Sequence, residues 1–326
     1  MNMKNGMMGL IVGDALGVPV EFLSGKQISA RENGRGVDME GYGTFHMPEG
    51  TWSDDSSMAL ATLDSILEKQ CIDLDDMMER FVLWVEKGKF TPFGLAFDIG
   101  RTCNQAIMNY SFSRNTHTCG VTGEYANGNG ALMRILPVCV YWCEKLNQGE
   151  MISRAVKSGE EVGALTHNHK RSGIACGIYF FLVKWIIQNR EDKELHDIVQ
   201  AAMDEAFSYY GQDKSCHGEL AYYEELAYYE ELVDIEELSK YEEEEIIGSG
   251  YVVDSLHAAV WCLVTSASYK ECVLKAVNLG DDTDTTAAIA GGLAGLYYGI
   301  EQIPGSWIEK IKGKEVIDKM ITGTEK

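Results

Sequence analysis

Gly280-Asp281-Asp282-Thr283-Asp284-Thr285-Thr286-Ala287-Ala288-Ile289-Ala290-Gly291-Gly292-Leu293-Ala294-Gly295-Leu296 joins two opposed patterns. Three carboxylates and three hydroxyls crowd the start of a run that is apolar on nearly every face and dense in glycine and alanine. A helix apolar all round belongs in a core, so the run from Thr285 to Tyr298 is expected to cross the centre of the molecule. The stretch from Gly173 to Gln188 has the same character. Around these two, apolar residues recur at helical spacing: Leu60, Leu63 and Leu67 after Ser53, and Phe81, Val82 and Val85 within Asp75 to Lys87. Further helices are expected over Lys193 to Tyr210, Val252 to Ser266, Tyr269 to Val277 and Ser306 to Met320. Strand-type alternation is nearly absent. The chain has 34 glycines and 5 prolines, where average usage would give roughly 23 and 16. The expected fold class is an all-α globule.

The 326 residues carry 28 basic and 50 acidic side chains, a net charge of −22. Such a balance argues against broad binding to nucleic acid or to an anionic membrane surface. An anionic ligand would have to be held by local donors or metal ions. The nine cysteines are scattered and contain no Cys-x-x-Cys pair; they read as small buried hydrophobes in a reducing compartment. The longest uncharged apolar stretch, Ala287 to Ile300, falls short of the roughly 20 residues that cross a bilayer. The N-terminal apolar run is interrupted by Asp14 and lacks a convincing cleavage site. A cytoplasmic protein is expected.

One tract stands apart. Glu-Leu-Ala-Tyr-Tyr-Glu occurs at 219–224 and again at 225–230, and Glu219 to Glu245 holds twelve acidic residues and one lysine, half of the net charge. Six residues advance an α-helix by about 600°, so this repeat cannot keep one stripe on one α-helical face. A solvated helical insertion at about 213–247 is expected within a single domain spanning 1–326.

Two segments concentrate carboxylates. Thr51-Trp52-Ser53-Asp54-Asp55-Ser56 precedes a helical pattern, with Ser53 a natural N-cap and the aspartates in the first turn. The helix dipole stabilises such an acid by about 0.3–1 kcal/mol, which accounts for one aspartate and less well for the cluster. The second cluster is Gly280 to Thr286. If Asp54, Asp55, Asp282 and Asp284 lay within about 5 Å of one another, each like-charge pair would cost about 3 kcal/mol at an effective dielectric near 20. Together they would exceed the about 5–15 kcal/mol that stabilises a whole protein. Such a group must be protonated, splayed into water or neutralised by divalent cations, and all-oxygen ligation favours Mg²⁺ or Mn²⁺. An EF-hand loop is excluded, because Ala287 and Leu293 occupy the positions of its glycine and closing glutamate.

Between the clusters, Tyr125-Ala-Asn127-Gly128-Asn129-Gly130-Ala-Leu-Met-Arg134 is a glycine-rich turn feeding a short helix. Its backbone N–H groups suit a phosphate, and Asn-Gly pairs also form ordinary turns. It matches neither a Walker A loop nor a dinucleotide fingerprint. Thr166-His167-Asn168-His169 offers polar contacts or plain structural histidines. Asp14 fits a cap, a buried hydrogen-bond partner or a ligand contact; Arg134 and Trp52 fit core support, and Glu21 also fits an exposed turn.

In this order the segments resemble the ADP-ribosylglycohydrolase family, which includes the dinitrogen-reductase-activating glycohydrolases. The matching pieces are Gly9-Leu-Ile-Val-Gly13-Asp14-Ala-Leu-Gly17-Val-Pro-Val-Glu21-Phe22, Trp52-Ser-Asp-Asp-Ser56, Phe97-Asp98-Ile-Gly100, Gly128-Asn-Gly-Ala-Leu-Met-Arg134, Leu165-Thr-His167 and Gly280 to Thr285 with the Ala-rich run behind it. They span residues 6 to about 300, and the acidic tract falls between them. The resemblance implies a compact all-α protein with a central dinuclear site for two Mg²⁺ or Mn²⁺ ions. It implies cleavage of the N- or O-glycosidic bond that joins ADP-ribose to a protein side chain or small molecule. It makes Ser53, Asp54, Asp55, Asp282, Asp284 and Thr285 metal ligands. Glu21 matches a mobile acid near the metals, Asp98 an acid near the scissile bond, and Asp55 is counted with both as catalytic. Asn127, Gly128, Asn129, Gly130 and His167 match diphosphate and ribose contacts. Ser53 and Ser56 stand where threonine is usual, Asp281 where glycine is common, and Thr286 where asparagine is common.

The implied chemistry suits these residues: ribosyl cleavage develops positive charge at the anomeric carbon, which calls for nearby carboxylates, a positioned water and a grip on the ribose hydroxyls. A member that binds ADP-ribose or serves structurally without turnover is the alternative, and a metal-dependent phosphohydrolase is a third reading of the same carboxylates.

Overall fold

A computed structural model describes residues 1–31, 38–212 and 225–323. Its helices are α1 (Asn2–Gly17), α2 (Gly25–Ser29), α3 (Asp54–Lys69), α4 (Leu74–Lys87), α5 (Arg101–Ser113), α6 (Leu136–Leu146), α7 (Ile152–Ala164), α8 (Lys170–Asn189), α9 (Leu195–Gln212), α10 (Ile235–Leu238), α11 (Val252–Val264), α12 (Tyr269–Asn278), α13 (Thr283–Tyr298), α14 (Gly305–Lys310) and α15 (Lys314–Gly323). Among the described residues, β-structure is limited to three isolated bridges: Ser24 with Gly280, Val121 with His167 and Gly128 with Tyr251. The all-α expectation holds, and α8 and α13 are buried along most of their length.

A third buried helix escaped the periodicity: in α1, 14 of 16 residues are buried. With no polar face there is no period to read. Its glycines explain how it packs. A Cβ added at Gly9 would fall 2.2 Å from the Gly291 carbonyl oxygen, one at Gly13 2.1 Å from that of Ala287, and one at Gly17 2.3 Å from the Asp284 Cα. α1 and α13 therefore meet backbone to backbone, a closeness that only residues without side chains permit. The Tyr269 hydroxyl donates to the Gly9 carbonyl at 2.7 Å, and the Thr283 hydroxyl to that of Gly17 at 2.8 Å. This seam puts Asp14 of α1 beside the first turn of α13.

Two expectations need correction. The single helix expected over Ser306 to Met320 is two, α14 and α15. Ile311 is extended (ψ 131°) and Gly313 left-handed (φ 62°), which lets the chain cross Trp52; the indole N–H donates to the Lys312 carbonyl at 2.9 Å. The acidic tract is not simply a solvated helix either. Residues 213–224, including the first copy of the repeat, lie outside the described residues. In the second copy Ala227–Leu232 is a 3₁₀ helix, where residues three apart eclipse. Leu226, Tyr229 and Leu232 are accordingly buried on one face, continued by Ile235 and Leu238 of α10. The six-residue period that defeats an α-helix is two whole 3₁₀ turns.

Candidate active site

Ser53 stands at the N-cap of α3, yet its side chain makes no capping hydrogen bond. The cap comes from another helix. Asp14 accepts the Ser53 N–H at 2.9 Å, the Ser56 N–H at 3.0 Å and the Ser56 hydroxyl at 2.5 Å. A carboxylate fits the positive end of α3, and Asp14 thereby fixes α3 to the α1–α13 seam. The Ser53 hydroxyl is left between two acids, 2.9 Å from Asp14 Oδ1 and 3.0 Å from Asp55 Oδ2.

The two acidic clusters meet. Oxygens of Asp14, Asp55 and Asp284 lie within 4.8 Å of one another, as do oxygens of Glu21, Asp98 and Asp284, so Asp284 belongs to both groups. Thr285 Oγ1 is 3.3 Å from Asp55 Oδ2, and its N–H donates to Asp284 Oδ1 at 2.9 Å. Burial, reinforced for most of the set by neighbouring acids, pushes every carboxyl here upward: Asp14 to about 6, Glu21 to about 10, Asp54, Asp55 and Asp284 well above the usual range, and Asp98 and Asp282 in the same direction. Asp55 Oδ1, Asp284 Oδ2 and Glu21 Oε2 are buried without a hydrogen-bond partner. Unpartnered buried carboxylate oxygens are costly. An all-oxygen set of this kind is a fitting cage for a hard divalent cation.

Asp54 and Asp282 stand at the edge of this centre, where with Glu21, Asp98 and Thr285 they line a cleft of about 210 Å³. Asp98 reaches it from the link between α4 and α5 with a left-handed backbone, φ 55°. Gly128, Asn129, Gly130 and His167 form the opposite wall. Asn129 donates to Asp282 Oδ2 and to the Ser255 hydroxyl, both at 2.9 Å, tying the glycine-rich turn to α11 and to the second acidic cluster. Gly130 must be glycine: a Cβ there would sit 2.8 Å from Cys103 Sγ and from His167 Cε1. Asn127 is absent from the wall. Its amide closes the turn by donating to the Glu124 carbonyl at 3.0 Å, and its Oδ1 accepts from Ser172 at 3.3 Å.

Asp281 is exposed and left-handed, φ 58°, a conformation that explains why glycine suits the position. Its backbone pairs with Phe22 and Leu23 at 2.7 and 2.8 Å while its carboxylate faces solvent. Sequence reasoning left Asp14 among three roles and outside the proposed ligands; one acid in an apolar run carries no pattern of its own. Cys103 and Met133 also line the cleft without having been singled out. Among the described residues, no helix is long and apolar enough to cross a membrane.

Helices carrying a buried, oxygen-only carboxylate centre beneath a glycine-rich cleft define an all-α protein fitted to divalent cations and a polar ligand. The chain belongs to the ADP-ribosylglycohydrolase family, whose model it matches over residues 2–324. Over 320 residues it is 28% identical to the ADP-ribosylarginine hydrolase Tri1 of Serratia proteamaculans (strain 568), covering 97% of this chain and 77% of that protein. It is 31% identical over 310 residues to the ADP-ribosyl-[dinitrogen reductase] glycohydrolase of Rhodospirillum rubrum, covering 94% and 89%. A solved structure described as an ADP-ribosylglycohydrolase-related protein complex superposes with a TM-score of 0.74 at 25% identity, covering 99% of this chain and 96% of that one. As a member of the family the protein is an enzyme, a hydrolase of the N- or O-glycosidic bond to ADP-ribose.

Proposed function

We propose that this centre holds two divalent cations, Mg²⁺ or Mn²⁺, and that the enzyme releases ADP-ribose from a modified protein side chain or a small conjugate. The observation that carries this reading is the pair of carboxylate groups joined at Asp284, each with oxygens that no protein donor satisfies. Ser53, Asp54, Asp55, Asp282, Asp284 and Thr285 would hold the ions, with Asp14 fixing Ser53 and lending a further oxygen. When bound, the cations would neutralise the acids, hold the ribose diol and polarise a water.

The chain's own residues do the rest. Glu21 and Asp98 bring carboxyl oxygens within 4.8 Å of each other and of Asp284, and acids gathered so closely out of water favour a proton held among them. That proton stands at the cleft, where the departing acceptor atom requires one, and the remaining negative charge of the centre stabilises the developing positive anomeric carbon. The Asn129 side chain, the N–H groups of Gly128 and Gly130, and His167 bind the diphosphate and ribose, while the Asn129 N–H is committed to the Gly250 carbonyl at 3.0 Å. We take 1–326 as one domain that needs neither nucleic acid nor membrane. Seven of the eight described cysteines are buried and all eight are free, which fits a cytoplasmic setting.

The test is a product assay. Purified enzyme supplied separately with Mg²⁺ and Mn²⁺ should release ADP-ribose from at least one of arginine-, serine- or acetyl-linked substrates. Turnover should vanish in EDTA and in Asp284→Ala. ADP-ribose-dependent thermal stabilisation with no product from any substrate would instead support the non-catalytic binder, and phosphate release a phosphohydrolase.

A further inference from the structure

Arg134 is wholly buried and has no carboxylate within ion-pair distance among the described residues. Its Nε and Nη1 have no partner; Nη2 donates to the Val162 carbonyl at 3.1 Å and to the Thr166 hydroxyl at 2.8 Å. That same hydroxyl oxygen lies 2.9 Å from His167 Nδ1. The ring's other nitrogen lies toward the cleft: a Cβ on Gly128 would be 3.4 Å from Nε2.

Proton counting orders this chain. Guanidinium only donates, so Thr166 Oγ1 accepts from it and keeps a single proton to give. Two atoms compete for that proton, His167 Nδ1 and the thiol of Cys103. An imidazole nitrogen lone pair is the stronger acceptor, since sulfur accepts weakly, and the thiol's own proton points at the Gly130 carbonyl at 3.8 Å. The opposite arrangement, with Nδ1–H aimed at the threonine oxygen, would bring a second N–H dipole head-on toward a buried cation that has no carboxylate beside it, only the Phe81 ring centred 5.0 Å from its guanidinium carbon. We propose that Arg134 is a positioning residue: through Thr166 it fixes His167 as the neutral tautomer protonated on Nε2, presenting one N–H donor to an oxygen of the ligand in the cleft. Burial and the nearby Arg134 charge push His167 down to about 3, so the ring stays neutral across physiological pH. The cleft thus gains a donor on its glycine-rich wall without a second mobile charge. The inference rests on the reading of His167 as a ligand contact.

The tautomer is observable without substrate, by long-range ¹H–¹⁵N correlation on the ¹⁵N-labelled full-length protein. Between pH 6 and 8 the His167 ring should show Nε2 protonated and Nδ1 bare. Thr166→Val should move the Nδ1 resonance downfield as its donor is lost, and Thr166→Ser should leave it in place. Arg134→Met, which frees the hydroxyl to accept, should populate the Nδ1–H form, and Arg134→Lys should restore the original pattern. In turnover, Arg134→Met should raise KM about tenfold, the value of one hydrogen bond to a charged ligand, with kcat changed less than about threefold. A wild-type ring protonated on Nδ1 or on both nitrogens overturns the proposal, as does an Nδ1 resonance unmoved by Thr166→Val. These hold even if Arg134→Met fails to fold. Unchanged ADP-ribose affinity in His167→Ala would overturn the ligand contact on which the inference rests, and is read separately from the tautomer.

Discussion

Asp14 shows how one residue turns an apolar helix into part of an active site. It accepts two backbone N–H groups and the Ser56 hydroxyl of α3 while one of its oxygens stays within reach of Asp55 and Asp284. The sequence displayed the aspartates of α3 and α13 as clusters, which composition alone left between helix capping and metal binding and which only the family resemblance assigned as ligands. Asp14 was not displayed in this way, because the serines it serves are some forty positions away and nothing local demands an acid there. The raised carboxyls make a pH prediction. A carboxyl whose folded value is raised, Asp14 to about 6 and Glu21 to about 10, is protonated in the folded chain when it is already ionised in the unfolded one. Its contribution is fully present below about pH 4 and is lost as pH rises through the folded value. In EDTA at constant ionic strength the melting temperature should therefore fall steadily from pH 5 to pH 8, and Glu21→Gln should flatten the upper part of that slope. Saturating Mg²⁺ should remove most of it. Scanning calorimetry checks this, and a metal-free melting temperature that climbs with pH would sink it.

At the scale of elements, the α1–α13 contact places both acidic helix starts. Gly9, Gly13 and Gly17 recur every four residues, the spacing of one helical face, so the stripe was present in the sequence; its partner was not, since nothing local says which other small-residue helix it meets. Gly13→Ala would set a methyl 2.1 Å from the Ala287 carbonyl oxygen. The helices would have to part, and overpacking of this kind costs about 1–3 kcal/mol or more; urea denaturation should show it, with loss of turnover as Asp14 and Asp284 separate. Gly159 in α7 is the counterpart: a Cβ there meets nothing within 4 Å. Gly159→Ala should raise stability by about 0.5–1 kcal/mol through helix propensity and leave activity alone. The broken α14–α15 pair was hidden for a different reason. Its apolar spacing is helical on both sides of the break, and the local stop, Gly313 with its left-handed backbone, is outweighed in the pattern by that spacing.

Across the whole molecule, the acidic segment is pinned at its start by one cation and farther along by its buried apolar stripe, by Gln200, which donates to the Val233 carbonyl at 2.9 Å, and by Trp261, which donates to the Tyr241 carbonyl at 3.1 Å. Arg171, buried at the start of α8, donates to Glu225 at 2.6 Å and to Glu124 and Tyr251 at 2.8 and 2.9 Å, with the Tyr228 ring 3.6 Å from its guanidinium carbon. Glu124 precedes the glycine-rich turn and Tyr251 pairs with Gly128, so the same arginine braces the glycine-rich wall of the cleft. Arg171→Met should cost about 2 kcal/mol, speed limited proteolysis near the start of 225–247 and raise KM; resistance equal to wild type would show that the arginine adds nothing to the other anchors. The charge excess that composition revealed is thus concentrated on a piece whose attachment composition could not show. Its 3₁₀ geometry has an evolutionary consequence. In 3₁₀ geometry six residues make two complete turns, and in the described stretch Leu226, at the N-cap, Tyr229 and Leu232 are buried together, where a continued α-helix would turn them toward different sides. Each Glu-Leu-Ala-Tyr-Tyr-Glu unit brings two further negative charges, so copying a unit whose length is a whole number of 3₁₀ turns changes the electrostatic coat of the enzyme in even steps.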